Sequence, residues 1–160
     1  MELNPLRHPI LFGEYDLTID EKNRLPIPAA VRKLINPEID GDAFFMVVGG
    51  NRKPWLYPKR YYEELVMQVP AELTPGAQQQ DFDQLRFAMT SLLEWDAQGR
   101  ILIPERTLKR TGLNREVTLF GSRDHLELWN RDDWEVRREE LIARSEKIAL
   151  PVRQDRTKAP

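Results

Sequence analysis

Hydrophobic and polar residues alternate twice along this chain, and each alternation runs into the same short motif. Leu17 and Ile19 alternate with Thr18 and Asp20; Leu93 and Trp95 alternate with Glu94 and Asp96. A period of two marks a half-buried strand. The motif is Asp20-Glu21-Lys22-Asn23-Arg24-Leu25-Pro26-Ile27-Pro28 in its first copy and Asp96-Ala97-Gln98-Gly99-Arg100-Ile101-Leu102-Ile103-Pro104 in its second, at a constant offset of 76 residues. Asn23 and Gly99 share one place, and these residue types best tolerate positive φ, so a turn is predicted there. Leu25 and Ile27, or Ile101 and Ile103, lead a return strand. Pro28 or Pro104 then suits the first position of a helix, and helices are predicted from Pro28 to about Leu34 and from Pro104 to about Thr111, with Gly112 as a C-cap.

The halves match again at an offset of 72: Gly49 with Gly121, Leu56 with Leu128, Tyr57 with Trp129, Tyr62 with Trp134. Phe44 to Val48, Val117 to Phe120 and Leu126 to Trp129 read as strands. Pro58 to Gln68 reads as a helix with Tyr61, Leu65 and Val66 on one face. Residues 69–80, with Pro70, Pro75 and Gly76, read as a linker, and a helix from Asp81 to about Thr90 leads into the second repeat. Asp132 or Asp133 would cap a final helix running to Leu150 and stopped by Pro151. Its face would hold Trp134, Leu141, Ile142, Ser145 and Ile148, with Glu140 and Arg144 paired. Residues 151–160 read as a disordered basic tail.

A strand–turn–strand hairpin with one short helix cannot cover both of its faces alone, so two copies are expected to interleave about a pseudo-two-fold axis into a small barrel-like core. The fold class is therefore α+β. The divisions are a first repeat domain over 12–62, a connector over 63–90, a second repeat domain over 91–134, a C-terminal helix over 135–150 and the tail.

Composition narrows the function classes. No apolar run approaches 18 residues, so no membrane span is expected, and the N-terminal residues show no secretory pattern. The chain has no cysteine, which excludes disulfides and thiolate metal sites and fits a reducing cytoplasm. Neither of the two histidines, His8 and His125, has a partner at metal-ligand spacing, and each reads as a surface or loop residue. No cofactor, metal or small-molecule substrate is indicated. The net charge is −2, but its distribution matters more: residues 20–33 and 96–110 each carry +2, and residues 63–83 carry −5. The repeats are basic and the connector is acidic.

Basic hairpin tips on a two-fold frame fit duplex DNA. A two-stranded ribbon enters the major groove, and an arginine fork reads guanine or grips phosphate. The candidate DNA-binding residues are Arg24 and Arg100, supported by Lys22, Arg32, Lys109 and Arg110. A local reading stands beside this one: Arg24 follows Asp20 by four residues and Arg100 follows Asp96 by four, so each pair can pin its own turn. Trp95, Trp129 and Trp134 read as packed aromatics rather than base-stacking platforms.

The doubled Asp-x-x-Gly-Arg-[Leu/Ile]-x-Ile-Pro pattern resembles the MraZ family of bacterial transcriptional regulators, with tandem SpoVT-AbrB halves. Phe12-Gly13-Glu14-Tyr15, Leu56-Tyr57-Pro58, Gly121 and Glu127-Leu128-Trp129 extend the resemblance over most of the chain. It implies a swapped-hairpin β-barrel (a double-split barrel), assembly into a homo-oligomeric ring, cytoplasmic and nucleoid residence, and binding to short direct repeats in double-stranded DNA upstream of the division and cell-wall gene cluster. It places the motif arginines at Arg24 and Arg100 and the basic residue before the first at Lys22. The chain departs from the family at Asn23, which replaces glycine, at Ala97-Gln98, which lack a lysine, and at Asp81-Phe82-Asp83-Gln84, where the family is arginine-rich. Fewer phosphate contacts imply a shallower salt dependence.

Other function classes fit parts of the pattern. A ring-forming scaffold with weakened DNA recognition would fit the acidic connector. Asp20 and Asp96 at equivalent places would fit an acid–base pair, but the Asp-Thr/Ser-Gly context of aspartic proteases is missing. An AbrB-type antitoxin would generally carry one copy of the motif per chain, not two.

Overall fold

A computed structural model describes residues 8–145 and 147. Its elements are strands β1 (Glu14–Thr18) and β2 (Arg24–Pro26), helices α1 (Ala29–Arg32) and α2 (Pro37–Asp40), strands β3 (Ala43–Val48) and β4 (Pro54–Pro58), helices α3 (Lys59–Met67) and α4 (Ala77–Ala88), strands β5 (Ser91–Glu94) and β6 (Arg100–Leu102), helix α5 (Glu105–Thr111), strands β7 (Glu116–Gly121) and β8 (Leu126–Asn130), and helix α6 (Arg131–Ala143). The fold is α+β with antiparallel pairing throughout.

The sheets follow from the duplication. Six strands run in the order β1-β7-β8-β4-β3-β5, and β2 pairs with β6 in a separate ribbon. Exchanging the two halves reproduces the six-strand order read backwards. Each half lends its first strand to the other: β1 pairs with β7, and β5 pairs with β3. Among the described residues no ladder closes these strands into a barrel; the larger sheet is open, with β1 and β5 as its edges.

The pseudo-dyad passes through two residue pairs. Leu25 stands opposite Ile101 in the ribbon, and Trp55 stands opposite Glu127 in the large sheet. The main core lies between ribbon and sheet. Leu25 and Ile101 pack there with Phe44, Leu56, Leu126 and Leu128, all without exposed surface. Burying a side chain of this size contributes roughly 1.5–3 kcal/mol. The outer face of the sheet is covered by α3, whose buried Tyr62 packs with Val47 and Tyr57, and by α6, whose Trp134 stacks on Phe120 at 3.8 Å.

Several boundaries differ from expectation, each for a local reason. Pro28 and Pro104 precede their helices as N-caps, with ψ of 140° and 136°, because both continue the extended strand before them. Asp132 and Asp133 lie inside the first turn of α6, behind an N-cap at Asn130, where their charge still favours the helix dipole. The helix ends at Ala143, and Glu140 pairs with Arg137 at 3.6 Å rather than with Arg144. Along it Trp134 and Leu141 are half-buried, while Ile142 is exposed. Ile148, Leu150 and the predicted tail lie outside the described residues. The connector is less open than its composition implied, since α4 begins at Ala77. The short α2, capped by the Asn36 side chain accepting from the Glu38 amide, was not anticipated. Gly112 caps α5 in the left-handed region as expected.

Candidate nucleic-acid interface

The ribbon begins with two identical turns. Asp20 Oδ1 accepts hydrogen bonds from the backbone amides of Lys22 and Arg24, each at 2.9 Å, and Oδ2 accepts from Arg24 Nε at 2.7 Å. Asp96 repeats this bond for bond with the amides of Gln98 and Arg100 and with Arg100 Nε, all at 2.9 Å. Asn23 and Gly99 take φ of 62° and 75°, as their shared place in the motif requires. The backbone amide of Arg24 or Arg100 is the main cause that holds each carboxylate below the usual aspartate range; burial opposes it, and the guanidinium and the second amide add to it. Asp20 and Asp96 lie beyond opposite ends of the ribbon, each engaged with its own arginine, which ends the reading of the two as one acid–base pair.

These turns aim the arginines. Opposite residues of an antiparallel pair share a face. Arg24 is opposite Leu102 and Arg100 is opposite Pro26, so all four lie on the face turned away from the buried Leu25 and Ile101. The two arginines are diagonal neighbours across the dyad, about 7–8 Å apart between Cα atoms by the usual strand geometry. Their side chains keep 33% and 27% of their surface exposed, so each is pinned at its root while its outer edge faces solvent.

The other candidates divide. Lys22 is exposed at the tip of the first turn. Arg32 acts in positioning: its Nε donates to the carbonyl of Ile27 at 3.0 Å, and its guanidinium lies against Gly99, where an added Cβ would come within 2.6 Å of it. It locks the first half onto the turn of the second. Lys109 is exposed and sits 3.3 Å from Glu105; Arg110 is exposed on the same helix end. Among the described residues no hydrogen bond or ion pair ties either to the ribbon.

Two arginines that sequence reasoning missed brace β1 and the first turn from the other half. Arg115 Nη1 donates to the carbonyls of Ile19 and Asp20, and Arg131 Nη2 donates to the carbonyl of Leu17 at 3.0 Å. Their counterparts at the second offset are Ala43 and Lys59, so the internal comparison carried no signal for Arg115 and only a shared positive charge for Arg131.

Both histidines belong to a polar network rather than to the surface. His125 is 7% exposed. Its Nδ1 lies 2.7 Å from Asp124 and its Nε2 lies 3.2 Å from Glu127, with Trp55 stacked on the ring at 4.0 Å. Glu127 also accepts from Asn51 and Trp129, and Asp124 accepts from Tyr61. Burial disfavours the charged imidazole, but the hydrogen bonds to Asp124 and Glu127 outweigh it and raise the pKa of His125 above the histidine norm. The bond to His125 lowers that of Asp124. Glu127 is lowered too, its donors prevailing over burial. His8, with 7% of its side chain exposed, sets Nε2 2.8 Å from Glu64 and its ring edge-on to Tyr61. Alternation along the strand could not reveal this network, because its members come from α3, both central hairpins and the segment before β1. Among the described residues no group of acids and histidines is arranged to hold a metal, and no helix is long and apolar enough to cross a membrane.

Known proteins match most of the chain. The family profile described as "MraZ protein, putative antitoxin-like" matches residues 87–153. A transcriptional regulator MraZ of Neisseria meningitidis is 32% identical over 125 residues, 78% of this chain and 82% of that protein. Proteins of the same name from Heliobacterium modesticaldum and Thermomicrobium roseum are each 29% identical over 140 residues, 88% of this chain and 94% and 95% of theirs.

Proposed function

The chain belongs to the MraZ family, and on that premise we propose that it is a sequence-specific DNA-binding transcriptional regulator whose β2–β6 ribbon enters the major groove. The observation that carries this reading is the outward face of the ribbon, where Arg24 and Arg100 flank the pseudo-dyad on turns of identical build. Each aspartate fixes the Nε side of its guanidinium and so limits the rotamer freedom that binding must remove. Lys22, Lys109 and Arg110 add positive charge near phosphate, and Arg32 supports the second turn.

In this reading the halves over 12–62 and 91–134, joined by 63–90 and followed by the helix over 135–150 and the tail over 151–160, form a double-split barrel with β1 and β5 as the exchanged strands. Copies of the chain assemble into a ring in the cytoplasm and act at the nucleoid. Neighbouring copies meet short direct repeats one helical turn apart, upstream of division and cell-wall genes, and weak single contacts gain strength through multivalency. No cofactor, metal, membrane or small-molecule substrate takes part, and the protein is not an enzyme.

The test is a mobility-shift titration of the purified protein on the DNA upstream of its own gene. Salt-sensitive binding to repeats is expected, and Arg24→Ala loses it while keeping its circular dichroism spectrum. A variant that binds like wild type leaves Arg24 with the turn alone. One alternative has an observation in its favour: both arginines are already paired with acids and the connector is acidic, as in a ring-forming scaffold with weakened DNA recognition. The scaffold reading predicts no shift at any salt concentration.

A further inference from the structure

Between the two arginines the ribbon face is apolar. Leu102 is 60% exposed although its neighbours Ile101 and Ile103 are buried, and Pro26, which is also exposed, is its diagonal neighbour across the dyad. Leu102 takes no part in the core. Leu102 and Pro26 leave a small apolar strip on the same face as the two guanidinium groups, and an apolar group of a partner that meets those groups can cover it. The flanking guanidinium groups, each with an edge left open beside its aspartate, favour a partner that also carries negative charge. Duplex DNA meets both conditions, since its major-groove edge presents one apolar group, the C5 methyl of thymine, between rows of phosphates.

We propose that Leu102 is a specificity-determining residue that packs on a thymine methyl between the positions read by Arg24 and Arg100; this rests on the DNA-binding reading above. The internal repeat strengthens the inference. Leu102 and Pro26 are counterparts in the two halves, yet one is a branched, mobile side chain and the other a rigid ring. The arginines are symmetric about the dyad and the apolar contact is not. The ribbon face therefore has a direction, and its site reads differently on its two strands, as a direct repeat does and a palindrome does not.

The experiment uses a duplex that the wild-type full chain selects from a randomised library, with each thymine replaced in turn by deoxyuridine, which lacks only the methyl. For wild type, replacement at one or two positions weakens binding about four-fold, the worth of one buried methyl group. Leu102→Ala binds the parent duplex about as weakly as wild type binds the replaced one, and is indifferent to the replacement. Because Leu102 is exposed, its melting temperature stays that of wild type. If wild type binds but ignores every thymine methyl, or if Leu102→Ala keeps the sensitivity, the proposal is overturned while the DNA-binding reading survives. If no duplex is enriched, both fall.

Discussion

Leu25 and Ile101 face one another across the β2–β6 ribbon, both without exposed surface, and they occupy the same place in the two halves of the chain. Residues related by the duplication thus meet at their own axis. The hydrogen bonds around them repeat in pairs: the Ile27 amide donates to Gly99 and the Ile103 amide to Asn23, at 2.8 and 2.9 Å. The two turns are in this way held by each other's strands.

The acids of the turns should matter more to stability than the arginines they hold. Asp20 accepts two backbone amides besides Arg24. Arg24→Ala removes an exposed pair and should cost less than about 1 kcal/mol. Asp20→Ala also leaves two amides without their acceptor and should lower stability further than Arg24→Ala does. Urea unfolding of the two variants gives the order; equal values would mean that the turn does not depend on its Asx bonds.

Gly99 and Asn23 occupy equivalent positive-φ positions but should respond differently to substitution. Gly99→Ala places a Cβ at positive φ and against the Arg32 guanidinium, for a loss of about 1–2 kcal/mol. Asn23→Gly should change stability by less than about 1 kcal/mol, because asparagine already tolerates the left-handed region. Pairing Gly99→Ala with Arg32→Ala should recover part of the loss, and a double-mutant cycle by thermal melting measures the coupling.

Gly121 is the less replaceable of the matched pair Gly49 and Gly121. A Cβ on Gly121 would come within 2.2 Å of the Phe12 amide nitrogen and 2.3 Å of the Leu11 carbonyl carbon, whereas one on Gly49 would meet the Trp55 side chain. Backbone does not swing aside, so Gly121→Ala should displace the segment bridged through Leu11 to Arg123 and cost about 3 kcal/mol or more. Faster hydrogen exchange at the Leu11 amide, which donates to Arg123, should accompany the loss.

The His125 network makes stability fall in both directions of pH. His125 holds its proton more tightly folded than unfolded, so its contribution is complete below the ordinary histidine pKa of about 6.5. It is lost as pH rises through the raised folded value. Asp124 and Glu127 are shifted down, so theirs is complete above the ordinary carboxylate range and is lost as pH falls through the folded values. Melting temperature against pH should decline on the alkaline side through a step that His125→Gln abolishes. Glu127→Gln should lower the melting temperature most below the ordinary histidine pKa, where His125 carries its proton both folded and unfolded and loses a charged acceptor.

The duplication made much of this fold readable. Offsets of 76 and 72 residues located both turns, seven of the eight strands and the glycines that close the central hairpins. They also placed Arg24 and Arg100 together, because a repeat that pairs with itself puts equivalent residues about one axis. What was missed breaks the repeat: Arg115, His8 and His125 have no like counterpart and Arg131 matches only a lysine, so their contacts depended on which half lies beside which. The outward placement of Leu102 was hidden for another reason. Alternation separates the two faces of a strand, but only the β2–β6 register shows which residue stands beside which arginine.

Trp55 against Glu127 has an implication for ancestry and redesign. Two separate identical subunits would be obliged to set like against like at their axis, tryptophan on tryptophan or one carboxylate on another. A covalently joined pair escapes that obligation, and here the freed position holds an acid that anchors a histidine on one side and an aromatic ring that covers the same histidine on the other. Splitting this chain into two interchangeable halves would therefore require a new side chain at that spot before the halves could dimerise.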